Sequence, residues 1–263
     1  MDGKALTTQQ KALALNLNAS TYGTFAEIGG GQEVAHWFSS TGGPEGIVAK
    51  TFAAWDMTCS EGRHVPIESC GSRQWLEIIL EQEFAQLRDR IQGERSGRKC
   101  LFAFADTGVT DDRPDTGNGS GWMGLRFQAR PHDEPSQIIL RGHLFDATAA
   151  GAQEAVGVLG VNLIHGAFFR SGDPAELIDS LMDELSSERI EIDMVRLSGP
   201  AFQKIDNLIL TLQLAARGLE PVIIEEQLFS IGPGGTPGQY RRASWVTCAW
   251  GVGRCAERTP CLR

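Results

Sequence analysis

Long apolar runs and basic residues are both scarce in this sequence, and each shortage excludes a class of protein. No run approaches the ~20 apolar residues that cross a bilayer, and residues 1–20 are too polar for a secretory signal. Acidic residues number 33 against 24 Lys and Arg, for a net charge of −9, whereas a general nucleic-acid binder needs a basic face. We therefore expect a soluble, cytoplasmic protein with neither nucleic acid nor membrane as partner.

Paired cysteine motifs are missing as well. The absence of CxxC spacing and of a secretory signal favours free thiols over disulfides. A zinc site built from Cys59, His64 and Cys70 has only weak support from their loose spacing. The six cysteines are Cys59, Cys70, Cys100, Cys248, Cys255 and Cys261.

The strongest functional signal lies between Tyr22 and Met57. A short β-favouring run over residues 24–28 meets three consecutive glycines, and apolar residues at helical spacing follow over 34–38. The pattern predicts a strand, a glycine turn and a helix. Glycine lets a ligand approach the backbone closely, and the free N–H groups of a helix start attract an anion such as phosphate. An ordinary tight turn explains the same glycines.

Charged residues near this turn supply candidate chemistry. Lys50 would neutralise a bound phosphate, while Asp56 and Asp106 would act as a base or hold Mg²⁺. Asp106 ends a predicted strand, where α/β proteins place ligand contacts. A solvated Lys50, a helix-capping Asp56 and a turn-forming Asp106 are the structural alternatives. The predicted ligand contacts at the turn itself are Gly29, Gly30, Gly31, Gln32 and Glu33.

The remaining pattern predicts an α/β fold with a mixed, largely parallel sheet flanked by helices and containing an antiparallel strand pair. The pair consists of strands at 122–128 and 137–145, and the helix–strand order of the last third indicates a parallel region. Further strands are expected over 99–106, 189–197 and 220–224. Further helices are expected over 4–18, 74–92, 147–169, 202–217 and from Asp173 onwards.

The sequence makes specific predictions for two of these helices. In the first one, Thr7 or Thr8 is the expected N-cap and Leu13, Leu15 and Leu17 are expected to pack. In the apolar helix over 147–169, which we interpret as buried core, His165 is expected to be a hydrogen-bonded core residue in preference to a catalytic one.

The chain divides at about residue 229. Residues 1–229 are predicted to form a single α/β domain. The tail, residues 230–263, has no apolar periodicity and carries five Arg, three Cys and no Lys. This composition is typical of a high-GC gene translated out of frame, and a genuine basic arm is the alternative.

Five segments together resemble one bacterial family whose members are about twice this length and carry the name nicotinate-nucleotide adenylyltransferase, or in places TonB-dependent receptor. The resemblance covers residues 4–229, the family's N-terminal half, and implies a nucleotide-binding α/β enzyme. The chain departs from the family in having His36 where arginine is usual. It also has no HxGH-like histidine pair. The segments are YGTFAEIGGGQEVAHWF, GIVAKTFAAWDM, GWMGLRFQ, LGVNLIHGAFF and RIEIDMVRLSGPAFQKIDN.

Three functions remain open at this point. The first is an enzyme of the nucleotidyltransferase type that binds a nucleotide or phosphometabolite. The second is a non-catalytic assembly or scaffold module that forms a homo-oligomer. The third is a methyltransferase-like binder, because Glu27 and the glycines after it loosely match an ExGxG pattern.

Overall fold

A computed structural model describes residues 6–28, 32–42, 47–54, 72–91, 99–107, 110–111, 119–146 and 148–203. Asp56, the three glycines after Ile28, the proposed boundary at residue 229 and the tail all lie outside these ranges. So do five of the six cysteines, and the sixth, Cys100, is a buried free thiol. No helix within the described ranges combines the length and apolar character needed to cross a membrane.

Helices and strands alternate along the described ranges from Thr8 to Asp106, three more strands then follow, and two helices precede the last strand. The strands are β1 (Thr21–Ile28), β2 (Val48–Ala54), β3 (Cys100–Asp106), β4 (Thr110–Asp111), β5 (Gly119–Phe127), β6 (Ser136–Leu144) and β7 (Ile190–Ser198). The helices are α1 (Thr8–Asn16), α2 (Glu33–Ser40), α3 (Arg73–Arg90), α4 (Ala149–Phe169) and α5 (Pro174–Leu181), and a 3-10 turn follows at Pro200–Phe202.

The strands form one mixed sheet in the order β2-β1-β3-β5-β6-β7, with β4 added beside β5. β1 pairs parallel with both β2 and β3. The pairs β3–β5, β5–β6 and β6–β7 are antiparallel. The predicted α/β class with its antiparallel pair is therefore confirmed. β7, which we expected in a parallel region, runs antiparallel to β6, and its expected partner at 220–224 lies outside the described residues.

The two connections from β1 to β3 pass over opposite faces of the sheet. α2 packs with α1, α4 and α5 on the face that carries Phe25 and Phe104. α3 packs on the other face, against Ala26 and Ala103. β1 therefore connects to β2 through a helix on one face, and β2 connects to β3 through a helix on the opposite face.

The apolar helix α4 is a core helix, as predicted, and it fixes the position of α2. A Cβ at Gly160 would lie 2.4 Å from the side chain of Val34, and one at Gly157 would lie 3.1 Å from Glu33 Cβ. The missing side chains let the two helices approach closely. The start of α2 is thus held against α4 and is not an independent surface turn.

α1 confirms one prediction and corrects another. Thr7 is the N-cap, as expected, and forms a capping box with Gln10. Leu15 is fully buried, but Leu13 is 39 % exposed and Leu17 60 % exposed, so their predicted packing is wrong. The buried face of α1 instead includes Lys11, a polar residue that a pattern of apolar positions assigns to the surface.

Candidate functional site

The sheet has a topological switch point between β1 and β3. The chain passes from β1 to β2 on one side and from β3 to β5 on the other, and α/β proteins bind ligands outside the carboxyl ends of strands where the order reverses in this way. At this end Glu27 of β1 and Asp106 of β3 are paired directly in register. Both are buried, with Glu27 only 1 % exposed. Two acidic residues therefore lie on neighbouring strands at the edge where the fold favours a ligand.

Glu27 holds the start of α2 across the glycine turn. Its Oε2 accepts from the Val34 N–H and its Oε1 from the Ala35 N–H, both at 3.0 Å. These amides belong to the first turn of α2, where free N–H groups and the helix dipole favour an anion. Burial raises the pKa of Glu27 to about 7 and outweighs the two hydrogen bonds, which favour the charged form.

Asp106 ends β3, as the sequence predicts, and its Oδ1 accepts from the Ile28 N–H at 3.2 Å. This contact joins the ends of two neighbouring parallel strands. The predicted catalytic carboxylate therefore sits at the expected edge of the sheet and has a structural contact there. Asp56, the other predicted catalytic acid, lies outside the described residues, as do Gly29, Gly30 and Gly31.

Gln32 and Glu33 stand at the beginning of α2, as predicted, and both line a cleft of about 440 Å³ between α2, β2 and the end of α1. The Gln32 Nε2 donates to Thr51 Oγ1 at 3.1 Å. Six of the ten described lining residues are polar, and none of the ten is Lys or Arg. The polar ones are Asn16, Gln32, Glu33, His36, Ser39 and Thr51.

Lys50 is not brought to the start of α2. Its Nζ lies 3.0 and 3.2 Å from the two carboxylate oxygens of Glu83, on α3. The reason is an irregularity in β2: Val48 pairs with Gly23 and Lys50 with Thr24, which leaves Ala49 as an extra residue. A bulge of this kind turns the following side chain to the other face of the sheet. Lys50 therefore faces α3, on the opposite side of the sheet from Gln32 and α2.

His165 is buried in α4, where the sequence predicts a core residue. It is 3 % exposed and stacks on Phe169 with ring centroids 4.8 Å apart. Burial, together with the nearby charges of Lys11 and Arg170, lowers its pKa to about 4. The predicted hydrogen bond is not seen at Nδ1, which has no partner among the described residues. His165 is therefore a neutral core side chain near neutral pH.

Sequence reasoning did not select Glu27 as a site residue, although a signal for it exists. An acidic residue inside an apolar strand that directly precedes a glycine turn has to be buried or to cap the next helix. The described residues contain no group of three or more His, Cys, Asp or Glu suited to hold an ion.

The fold and site together define an α/β protein with two buried acidic residues at the reversal of strand order and, beside them, a cleft along α2. Comparison with protein-family models, with curated proteins and with solved structures finds no match to this chain. The resemblance to the bacterial adenylyltransferase-named family therefore stays a prediction. The observations that bear on function are the residues and geometry of the site itself.

Proposed function

We propose that this protein binds a nucleotide or a related phosphometabolite in the crevice at the carboxyl ends of β1 and β3 and in the adjoining α2 cleft. The observation that carries the proposal is the reversal of strand order between β1 and β3, where the chain passes from β1 to β2 on one side and from β3 to β5 on the other, since this topology favours a ligand crevice at the carboxyl ends. In a nucleotidyltransferase-like reaction, Asp106 or Asp56 would serve as the base or would hold Mg²⁺.

The size and lining of the cleft support a small-molecule ligand. Its volume of about 440 Å³ falls within the roughly 300–1,000 Å³ usual for ligand pockets. Gln32 and Glu33 contribute polar groups from the beginning of α2, and His36 lies one turn further on. Because α2 is packed tightly against α4, these groups are held in place before a ligand arrives.

Thermal unfolding with a panel of nucleotides at millimolar concentration tests the proposal. A ligand that binds only the native state stabilises it by about 2.7 kcal/mol at one hundred times its Kd, so the melting temperature should rise. His36→Asn should reduce that rise. His132→Asn, in the exposed turn between β5 and β6, is the matched control and should leave it unchanged. No shift with any nucleotide or phosphometabolite would count against binding.

A second function, assembly with copies of itself, is favoured by α1. Leu13 and Leu17 are 39 % and 60 % exposed, and their spacing of four residues places them on one side of the end of α1, where Leu17 is the C-cap. Leu6, before the N-cap, is 36 % exposed. An exposed apolar stripe such as the Leu13–Leu17 pair is a common contact surface between subunits. Analytical ultracentrifugation of the wild type and of Leu13→Glu/Leu17→Glu would test it. A monomeric wild type would exclude assembly through this stripe.

A further inference from the structure

We propose that the group which the ligand presents to the α2 cleft is the hydroxyl-bearing sugar of a nucleoside, and that the ligand's phosphate does not sit on the first turn of α2. The inference rests on the proposed function, because it concerns the ligand of the same cleft. Three features of the described residues carry it.

The anion position at the start of α2 is already occupied. The two carboxylate oxygens of Glu27 accept the Val34 and Ala35 N–H groups at 3.0 Å each. These N–H groups are the ones that a bound phosphate would use at a helix start. Because Glu27 is part of the chain and only 1 % exposed, an external phosphate would have to displace a buried, tethered carboxyl group.

The second feature is an unused acceptor in the lining of the cleft. Asn16 is 5 % exposed, and its Oδ1 has no hydrogen-bond partner among the described residues. Its Nδ2 donates to the carbonyl oxygens of Phe38 and Gly42, each at 2.8 Å. This pair of carbonyls fixes which end of the amide is oxygen, because a flipped amide would set oxygen against oxygen. A hydrogen-bond donor on the ligand would satisfy this oxygen.

The third feature is the charge of the lining. Glu33 adds a carboxylate to the cleft, and no Lys or Arg stands among its described lining residues. Lys50, the cation predicted to neutralise a phosphate, is bound to Glu83 on α3. A sugar hydroxyl donates to a carboxylate or to an amide oxygen, whereas a phosphate dianion offers only acceptors and is repelled by nearby acids. A carboxylate that binds ribose hydroxyls is a common arrangement in α/β proteins.

Titration calorimetry with adenosine, AMP, nicotinic acid riboside, its 5′-monophosphate and inorganic phosphate tests the inference. These compounds form two pairs, each a nucleoside and its monophosphate. In one of the pairs the two Kd values should agree within about threefold, and phosphate alone should not bind. The 2′-deoxynucleoside of that pair should bind at least about tenfold more weakly. Glu33→Gln should also weaken nucleoside binding, while Glu134→Gln, in the exposed β5–β6 turn, should not.

A variant provides a converse test. Glu27→Ala removes the internal anion, so it should acquire inorganic phosphate binding that the wild type lacks, even if it is less stable. A monophosphate that binds more than about tenfold tighter than its nucleoside to the wild type would overturn this inference alone. Binding of neither a nucleoside nor a nucleotide would overturn the proposed function itself. The wild-type comparison decides the question if Glu27→Ala does not fold.

Discussion

Two buried ionisable residues, Glu27 near the end of β1 and Lys11 on the buried face of α1, are accommodated in opposite ways. The Lys11 ammonium donates to Asn162 Oδ1 at 2.7 Å and to the Ser180 carbonyl at 3.1 Å, and it pairs with Asp183 at 2.6 Å. Its three N–H groups thus have three acceptors. Glu27 accepts two backbone N–H groups, and no Lys, Arg or His within the described ranges forms an ion pair with it.

The difference separates a structural charge from a candidate functional one. A buried ion that is paired and fully hydrogen-bonded, like Lys11, ties elements together, here α1, α4 and the segment after α5. A buried carboxyl without a cation keeps a pKa displaced by desolvation, and such groups concentrate at functional sites. Burial prevails at both groups: it lowers the pKa of Lys11 although Asp183 opposes the shift, and it raises the pKa of Glu27 to about 7. Only Lys11, however, has a charged partner among the described residues.

The largest expected effect comes from breaking the Lys11 network. Lys11→Met leaves the Asp183 carboxylate and the Asn162 carbonyl without their donor, so the free energy of unfolding should fall by about 3–5 kcal/mol. Urea unfolding at pH 7 measures it. Lys11→Met/Asp183→Leu should recover part of the loss. A loss below about 1 kcal/mol would show that the ion pair does not hold α1 in place.

The next effect is the pH dependence that Glu27 confers. Its folded pKa of about 7 exceeds the ordinary 4.5, so its contribution to stability is complete below pH 4.5 and is lost as pH rises through 7. At about 1.4 kcal/mol per pH unit, the loss amounts to about 3 kcal/mol. Glu27→Gln does not titrate. The stability difference between variant and wild type should therefore change by this amount between pH 4.5 and 8, and parallel urea-unfolding profiles would contradict the assignment.

Periodicity predicts the elements that carry both charges but not the contacts between them. The continuous apolar run of β3, the Asp173–Pro174 start of α5 and the length of α4 each have a local signal that survives in the fold. Glu27 meets amides seven and eight residues away because the start of α2 lies against the end of β1. Lys11 meets residues more than 150 positions away, and no local pattern carries that information.

Lys50 shows the same limit within the candidate site. Strict alternation puts Lys50 on the same face as Val48, beside α2, where a phosphate contact is expected. One extra residue, Ala49, reverses the alternation and pairs Lys50 with Glu83 of α3. Bulges depend on pairing with the neighbouring strand, so the sequence of β2 alone does not reveal one. Gln32 and Glu33 do lie at the start of α2, where the sequence places them, because their position depends only on the local helix signal; their role as ligand contacts stays a prediction.

A smaller loss of stability should follow from forcing α2 and α4 apart where they are in contact. Gly160→Ala places a Cβ 2.4 Å from the Val34 side chain, and this overpacking should cost about 1–3 kcal/mol. Gly172→Ala, where nothing lies within 4 Å, is the control and should be nearly neutral. Val34→Ala should partly rescue Gly160→Ala. Equal melting temperatures for the two glycine variants would mean that α2 and α4 do not pack this closely.

The smallest effect is expected for Lys50, a third charge whose exposure lies between those of a core ion and a surface one. Its side chain is 32 % exposed and that of Glu83 10 %, so Lys50→Met should cost about 1 kcal/mol, near the upper end for exposed pairs. Because Lys50 faces α3, the Kd for a bound nucleotide should stay within about threefold of wild type. Lys50→Arg, which keeps the ion pair, is the control for stability. A tenfold loss of nucleotide affinity in Lys50→Met at unchanged stability would instead make Lys50 a ligand contact. Lys50 would then be the cation for a bound phosphate that the described lining of the cleft lacks.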